Sequence, residues 1–92
     1  MAKFLMWGKY SPQGIKGITP ERTKKVVKII EQTGGKVNSM YALLGEHDLL
    51  FVVDFPGVSQ VFKASTSLTK MTGIAFTSSP AIDVKDFDRM RT

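Results

Sequence analysis

The stretch KVNSMYALLGEHDLLFVVD, residues 36–54, decides the fold of this chain. Two runs rich in apolar residues, 36–44 and 48–54, flank the short connection Gly45-Glu46-His47. A short, glycine-containing connection between two such runs is typical of a β-hairpin. Because residues 49–53 are all apolar, the second strand is predicted to lie inside the sheet and to be covered on both faces.

Outward from this hairpin, the pattern predicts further strands and helices on each side. Thr19-Pro20-Glu21 begins a helix, because threonine caps helices and proline suits the first helical position. Gly34-Gly35 ends this helix. Ser11-Pro12-Gln13-Gly14 is interpreted as a loop. The other predicted elements are a strand at 3–10, a helix that opens at Pro56-Gly57 and ends at Gly73, a strand at 74–79 stopped by Pro80, and a helix at 83–91 with Val84, Phe87 and Met90 facing inward.

The resulting order, βαββαβ, predicts an α+β fold: a ferredoxin-like sandwich with a four-stranded antiparallel sheet and a short C-terminal helix. At 92 residues the chain fits a single domain, 1–92. Right-handed crossovers place both long helices on one face of the sheet. The other face is then left open.

An open face in a lone domain should be polar, but the first strand is apolar on both sides. Leu5 and Trp7 form one side, and Phe4, Met6 and Tyr10 form the other. Whichever side is uncovered presents an apolar patch of the kind that usually marks an interface. We therefore expect a homodimer or higher homo-oligomer, with this chain as its own partner. The predicted interface residues are Leu5, Trp7, Met40 and Val52.

Composition excludes several classes of site. The chain has no cysteine and one histidine, so a disulfide framework, a thiolate zinc site and a multi-histidine metal site are excluded. No apolar run approaches the roughly 20 residues that span a bilayer. The beginning of the chain reads as a strand and lacks a signal peptide's cleavage site, so we expect a cytoplasmic protein without membrane contact. The sequence implies no metal and no cofactor.

Positive charge is concentrated in the first part of the chain. The net charge is +5, and residues 1–36 hold eight Lys and Arg against two Glu, a net charge of +6. The densest group is Arg22, Lys24, Lys25 and Lys28. A basic helix can mark an anionic partner, but a solvated outer helix face is the favoured interpretation.

Three stretches together resemble the GYD domain family. They are FLMWGKY at residues 4–10, TPER at 19–22, and the segment from Gly34-Gly35-Lys36 through YALLGEHD at 41–48. Gly45 and Asp48 match the glycine and aspartate of the family's signature, and His47 stands at the tyrosine position. The resemblance implies a dimeric, ferredoxin-like member of the dimeric α+β barrel group. The same hairpin is similar, less specifically, to one in leucine-responsive transcription regulators, where the turn helps form a small-molecule site between subunits.

The candidate ligand-binding residues are two tyrosines and the end of the hairpin turn: Tyr10, Tyr41, His47 and Asp48. Tyrosines supply apolar area with one polar tip, although a plain interface core is the favoured interpretation for them. A histidine side chain can transfer protons, and a carboxylate can orient its ring. Neighbouring strand residues point to opposite faces, however, so a direct His47–Asp48 dyad is not expected. The favoured interpretation has Asp48 accepting backbone N–H bonds in the turn while His47 faces solvent.

Three functional hypotheses remain open at this point. The leading one is a homo-oligomer with little or no catalysis that binds a small molecule near Gly45–Asp48. The second is a cofactor-independent enzyme of the dimeric α+β barrel type, acting through His47, Tyr10 or Tyr41. The third is RNA binding, which has the least support because residues 48–54 contain no basic residue or glycine among their apolar side chains.

Overall fold

The computed structural model describes residues 1–90, which form four strands and four helices. Their order is β1 (Ala2–Lys9), α1 (Pro12–Lys16), α2 (Pro20–Gln32), β2 (Lys36–Ala42), β3 (Leu49–Phe55), α3 (Val58–Thr72), β4 (Ala75–Ala81) and α4 (Val84–Met90).

The strands form one sheet in the order β2-β3-β1-β4, and every neighbouring pair is antiparallel. The two strands with apolar residues on both sides, β1 and β3, are the central pair. The predicted α+β fold with a four-stranded antiparallel sheet is therefore confirmed.

Both long helices cover the same face of the sheet and form the core with it. On β1 and β3 every second side chain points into this layer, and Met6, Val53 and Phe55 are completely buried there. Burying one such side chain stabilises the fold by about 1.5–3 kcal/mol. The helical part of the core consists of Val26 and Ile30 from α2 and Val61, Ala64 and Leu68 from α3.

The uncovered side of the sheet carries the alternate residues of the same two strands. Leu5 pairs with Val52, and Trp7 pairs with Leu50. All four side chains are half-buried within one chain. We call these four residues the open face. The side of β1 left uncovered by the helices is therefore that of Leu5 and Trp7.

The ends of α2 follow the predicted signals. The Thr19 hydroxyl accepts a hydrogen bond from the Arg22 N–H at 3.0 Å, and Pro20 occupies the first turn. Gly34 has a φ of 88°, in the left-handed region that favours glycine. Gly35 is required for a different reason, because a Cβ there would lie 2.6 Å from the Phe55 ring.

The segment after β1 is a helix, although the sequence was interpreted as a loop. Ser11 caps α1 by accepting a hydrogen bond from the Gly14 N–H at 2.9 Å, and Pro12 begins the helix. A five-residue helix has too few residues to show an apolar period. Its start signals, a serine followed by proline, were nevertheless present in the sequence.

A β-bulge in β2 corrects the prediction that Met40 belongs to the open face. The pairing with β3 shifts between Val37 and Ser39, so Asn38 is an extra residue in the strand. After the bulge Met40 lies opposite Phe51 and packs against the core. One extra residue reverses the alternation of all the following side chains, and Met40 therefore lies under the helices.

Pro80 does not stop β4, contrary to prediction. The strand continues to Ala81, with Pro80 opposite Phe4. Because β4 is an edge strand, alternate backbone N–H groups face away from the sheet, and a residue without an N–H is tolerated there.

The C-terminal helix also differs from the prediction. Its apolar residues were expected to face inward, but Val84, Phe87 and Met90 are 73%, 50% and 74% exposed, and no residue of α4 is buried. Residue 91, the predicted last residue of this helix, lies outside the described residues. The covered side of the sheet is already filled by α2 and α3, so α4 has no place in that layer.

Candidate functional site

Asp48 connects the β2–β3 turn to the end of β1. Its carboxylate accepts a hydrogen bond from the Tyr10 backbone N–H at 2.8 Å. Its own N–H donates to the Gly8 carbonyl, and its carbonyl accepts from the Leu43 N–H, each at 2.8 Å. As predicted, Asp48 accepts a backbone hydrogen bond, but the donor belongs to the segment after β1 and not to the turn. The Asp48 carboxylate positions backbone at this end of the sheet.

His47 contacts the open face and not the Asp48 carboxylate, which is bound to the Tyr10 N–H. Its ring centroid lies 5.1 Å from that of Trp7, with 38° between the ring planes. The side chain is half-buried, not solvent-facing as the favoured interpretation had it. The neighbouring residue Glu46 accepts a hydrogen bond from Lys9 Nζ through its carbonyl at 3.0 Å. Contacts from Glu46, His47 and Asp48 therefore hold the turn against the end of β1. His47 and Asp48 form no dyad.

On the helix side of this turn lies a cleft of about 140 Å³. It opens between the first two turns of α2 and the hairpin, and Ala42 and Leu49, the residues that flank the turn, both line it. We call it the turn-side cleft. Val26 and Phe51 form part of its apolar wall, and Thr23 contributes at its rim.

The four predicted ligand-binding residues do not form one site. Tyr10 and Tyr41 both border the turn-side cleft, but Tyr41 lies opposite Leu50, so its side chain is on the open side of the sheet. His47 and Asp48 do not line the cleft, because they belong to the turn itself and contact β1. The structure thus brings Tyr10 to the cleft and gives the side chains of the other three residues different surroundings.

Arg22 is a cleft residue that the sequence analysis missed. Its Nη1 donates a hydrogen bond to the Gly14 carbonyl, 2.6 Å away, and its guanidinium carbon lies 6.0 Å from the Tyr10 ring centroid. A Cβ on Gly17 would lie 2.8 Å from Nη1, so the backbone around α1 closely surrounds this side chain. The sequence placed Arg22 among solvated lysines.

A signal for Arg22 was nevertheless present in the sequence. Arg22 lies in the first turn of α2, where the partial positive charge of the helix terminus disfavours a cation. A cation at such an unfavourable position is expected to have a stabilising contact with another part of the chain. Here the contact is with the Gly14 carbonyl and the Tyr10 ring.

A wider groove of about 390 Å³ lies between α3 and β4. Phe62 and Val58, two of its lining residues, are 69% and 59% exposed. No charged residue lines it, and its polar groups are hydroxyls such as those of Ser65 and Ser78, which lie 3.5 Å apart. The groove therefore has apolar surface for a ligand but no charged side chain to orient it.

Neither a metal centre nor a membrane span is found within residues 1–90. No group of three His, Asp or Glu side chains there is arranged to hold a metal ion. None of the helices described is both long and apolar enough to cross a bilayer.

The sheet order, the helix layer and the open face define the class of protein as a ferredoxin-like α+β domain. The family model of the GYD domain matches residues 4–90, nearly the whole sequence. This chain therefore belongs to the GYD domain family, and the resemblance seen in the sequence is confirmed.

A solved structure has the same fold. The leucine response regulatory protein LrpA of Mycobacterium tuberculosis superposes with a TM-score of 0.62 at 13% identity, covering 89% of this chain and 51% of that protein. The chain thus spans about half the length of this neighbour. An amidase of the hydantoinase/carbamoylase family from Burkholderia multivorans gives a TM-score of 0.40 at 14% identity, covering 87% of this chain and 26% of its own. Comparison with curated proteins found no match.

Proposed function

We propose that this protein is a small-molecule-binding domain that works as a homodimer. The ligand lies in the turn-side cleft, and the two copies meet through their open faces. The observation that carries the proposal is the cleft itself, whose walls are mostly apolar, with Tyr10 and Arg22 as polar groups beside them. Concave, largely apolar sites with a few placed polar groups are typical of small-molecule binding.

The size of the exposed surface supports the homodimer. One chain exposes 6251 Å². The scaling of folded monomers gives about 5,300 Å² for 10.2 kDa, so this chain exposes roughly 950 Å² more than a compact monomer of its mass. A standard interface buries about 800 Å² per partner. The surplus, to which the exposed helix α4 also contributes, is of the size that one standard interface removes.

The arrangement of residues on the open side of the sheet supports the same assembly. Leu5, Trp7, Leu50 and Val52 lie at its centre, and charged residues lie toward its margins, such as Lys3 opposite Asp54. An apolar centre within a polar rim is the usual anatomy of a protein interface. Two copies related by a two-fold axis bring the same patch against itself, so one apolar patch serves both partners.

The name of the solved neighbour agrees with ligand binding. A leucine response regulatory protein contains a domain of this fold, and its name links it to a small metabolite. At 13% identity the two proteins share a fold. The neighbour's name is therefore consistent with small-molecule binding as a class of function, and it identifies no ligand for this chain.

The two alternatives have less support. An enzyme of the dimeric α+β barrel type needs a proton-transferring group at the cleft, and neither a histidine nor a carboxylate lines it. RNA recognition on a sheet of this order uses basic and aromatic residues on its strands. The only aromatic side chain on the two central strands that faces the open side is Trp7, and His47 stacks against it.

A titration followed by ¹H–¹⁵N NMR tests ligand binding at the cleft. The probes are single-ring compounds, namely phenol, benzyl alcohol and benzoate. We expect at least one of them to move the backbone amides of Thr23, Ala42 and Leu49, which line the cleft. Ala42 is exposed, so Ala42→Phe fills the cleft without disturbing the core and should abolish these shifts.

The matched control is Ala2→Phe. Ala2 is also an exposed strand alanine, but it lies at the opposite end of β1 from Tyr10. Binding should survive this change. If no probe moves a cleft amide, or if the shifts persist in Ala42→Phe, the turn-side cleft is not a binding site.

A further inference from the structure

The turn-side cleft contains one charge. Arg22 is the only positively charged side chain among the residues that line it, and no Asp or Glu is among them. The guanidinium is always protonated in proteins and offers five N–H donors, of which one is used by the Gly14 carbonyl. The cleft is therefore positive and has hydrogen-bond donors to offer.

No acidic side chain within residues 1–90 pairs with Arg22. The ion pair seen in that range joins Arg89 to Asp86 on α4. The contacts of the Arg22 guanidinium are a backbone carbonyl and an aromatic ring, neither of which carries a net charge. Its charge is thus held in place by the α1–α2 segment and remains available to an anion.

The apolar wall sets the size of the rest of the ligand. A dry cavity of about 150 Å³ lined by aliphatic and aromatic side chains accommodates benzene. The turn-side cleft has about 140 Å³, with Val26, Leu49 and Phe51 among its apolar residues. A body of one ring, or a branched chain of similar size, therefore fits.

We propose that the turn-side cleft binds a small monocarboxylate with an apolar body of about one-ring size. The carboxylate pairs with Arg22, whose planar fork of donors matches its geometry. The apolar body lies against Val26, Leu49 and Phe51. This inference rests on the proposed function, because it specifies the class of ligand for that same cleft.

Three probes of the same shape and different charge test the ligand class. Benzoate carries the anion, benzyl alcohol is neutral, and benzylamine is a cation, and each is titrated while the cleft amides are followed by NMR. A hydrogen bond to a charged group contributes about 1.5–3 kcal/mol, so benzoate should bind roughly ten- to a hundredfold more tightly than benzyl alcohol. Benzylamine should bind most weakly.

The variant Arg22→Gln removes the charge while keeping most of the side-chain length. We expect it to lower the affinity for benzoate by about tenfold or more and to leave that for benzyl alcohol almost unchanged. The matched control is Lys25→Gln, which removes one positive charge from an exposed position on the same helix outside the cleft. It should leave both affinities unchanged apart from a small, salt-sensitive effect.

Gly17→Ala tests the positioning of Arg22 without removing it. Gly17 has a φ of −90°, which alanine adopts freely, so the new methyl group acts mainly by displacing Nη1. We expect the ratio of benzoate to benzyl alcohol affinity to fall while the unfolding temperature stays nearly the same. A purely structural role of Gly17 would lower stability and leave this ratio unchanged.

Failure of this inference and failure of the proposed function give different results. If the three probes move the cleft amides with equal affinities, or if Arg22→Gln binds benzoate as the unmodified chain does, the carboxylate preference is wrong and the binding site stands. If no probe moves a cleft amide at millimolar concentration, both are wrong.

Discussion

At the centre of β1 and β3 the two faces of the sheet are both apolar, but their surroundings differ. Along β3, Phe51 and Val53 are 3% and 0% exposed beneath the helices, whereas the intervening Leu50 and Val52 are only half-buried. These residues are consecutive and all apolar. The difference between the faces therefore comes from the layer above each one, which helices of the same chain supply on one side only. On the other side we propose that a second copy supplies it.

The face of the sheet that α2 and α3 cover, which we call the closed face, also contains the turn-side cleft. The helices cover the middle of the sheet and leave a gap at the hairpin end, next to Ala42 and Leu49. We propose that the closed face stabilises the monomer and binds the ligand, while the open face joins two monomers.

The largest effect is expected on the closed face. Phe51→Ala removes a ring that is packed against Phe76, with ring centroids 5.5 Å apart, and leaves a cavity in the core. We expect a loss of about 3–5 kcal/mol in the free energy of unfolding, measured by urea denaturation. A loss of about 0.5 kcal/mol or less, the range of surface substitutions, would contradict the assignment of this face to the core.

The neighbouring residue tests the open face. Val52→Asp puts a charge at the centre of the proposed interface, where an unpaired charge costs several kcal/mol when it is buried. We expect the variant to remain folded by circular dichroism and to become monomeric. Trp7, the only tryptophan of the chain, then becomes solvated, so its fluorescence emission should shift to the red.

Thr66→Asp is the control for this substitution, because it adds the same charge at an exposed position of α3 in the helix layer. It should leave the Trp7 emission unchanged. An emission maximum that is the same in Val52→Asp and in the unmodified chain would contradict an interface at Val52.

A smaller effect is expected where the turn meets β1. Asp48→Ala removes the acceptor of the Tyr10 N–H and leaves that part-buried donor without its partner. We expect a loss of about 1–3 kcal/mol in the free energy of unfolding. Asp48→Asn retains an acceptor oxygen and should lose less. Equal losses in the two variants would contradict a role through this hydrogen bond.

The smallest effect is expected at His47. His47→Ala removes one ring from the contact with Trp7 at the margin of the open face. Aromatic pairs contribute about 0.5–1.5 kcal/mol, and partial exposure places this one at the low end. Thermal unfolding should reveal a shift of a few degrees at most, whereas a loss as large as that of Phe51→Ala would place His47 in the core.

Most of the fold was predictable because its signals are local. Thr19-Pro20 marks the start of α2, and the glycine at φ 75°, Gly73, marks the end of α3. Two of the errors have non-local causes. A bulge at Asn38 reversed the side of Met40, and the edge position of β4 made Pro80 acceptable within a strand. Neither the register of a strand nor its place in a sheet can be read from the strand alone.

The sequence predicted where the candidate site lies, beside the hairpin turn, but not all of the residues that line it. The sequence directed attention to the hairpin turn, and a cleft does open beside it, with Tyr10 and Tyr41 among its residues. Arg22 was missed because its position depends on α1 and on the close approach allowed by Gly17. These contacts join residues from separate elements, and no periodicity in the sequence reports them.

The molar mass of the unmodified chain in solution, measured by size-exclusion chromatography with light scattering at micromolar concentration, distinguishes the proposed homodimer from a monomer. We expect twice the 10.2 kDa of one chain, because the open face of each copy is covered by the other. A mass of 10.2 kDa across the concentration range would contradict it.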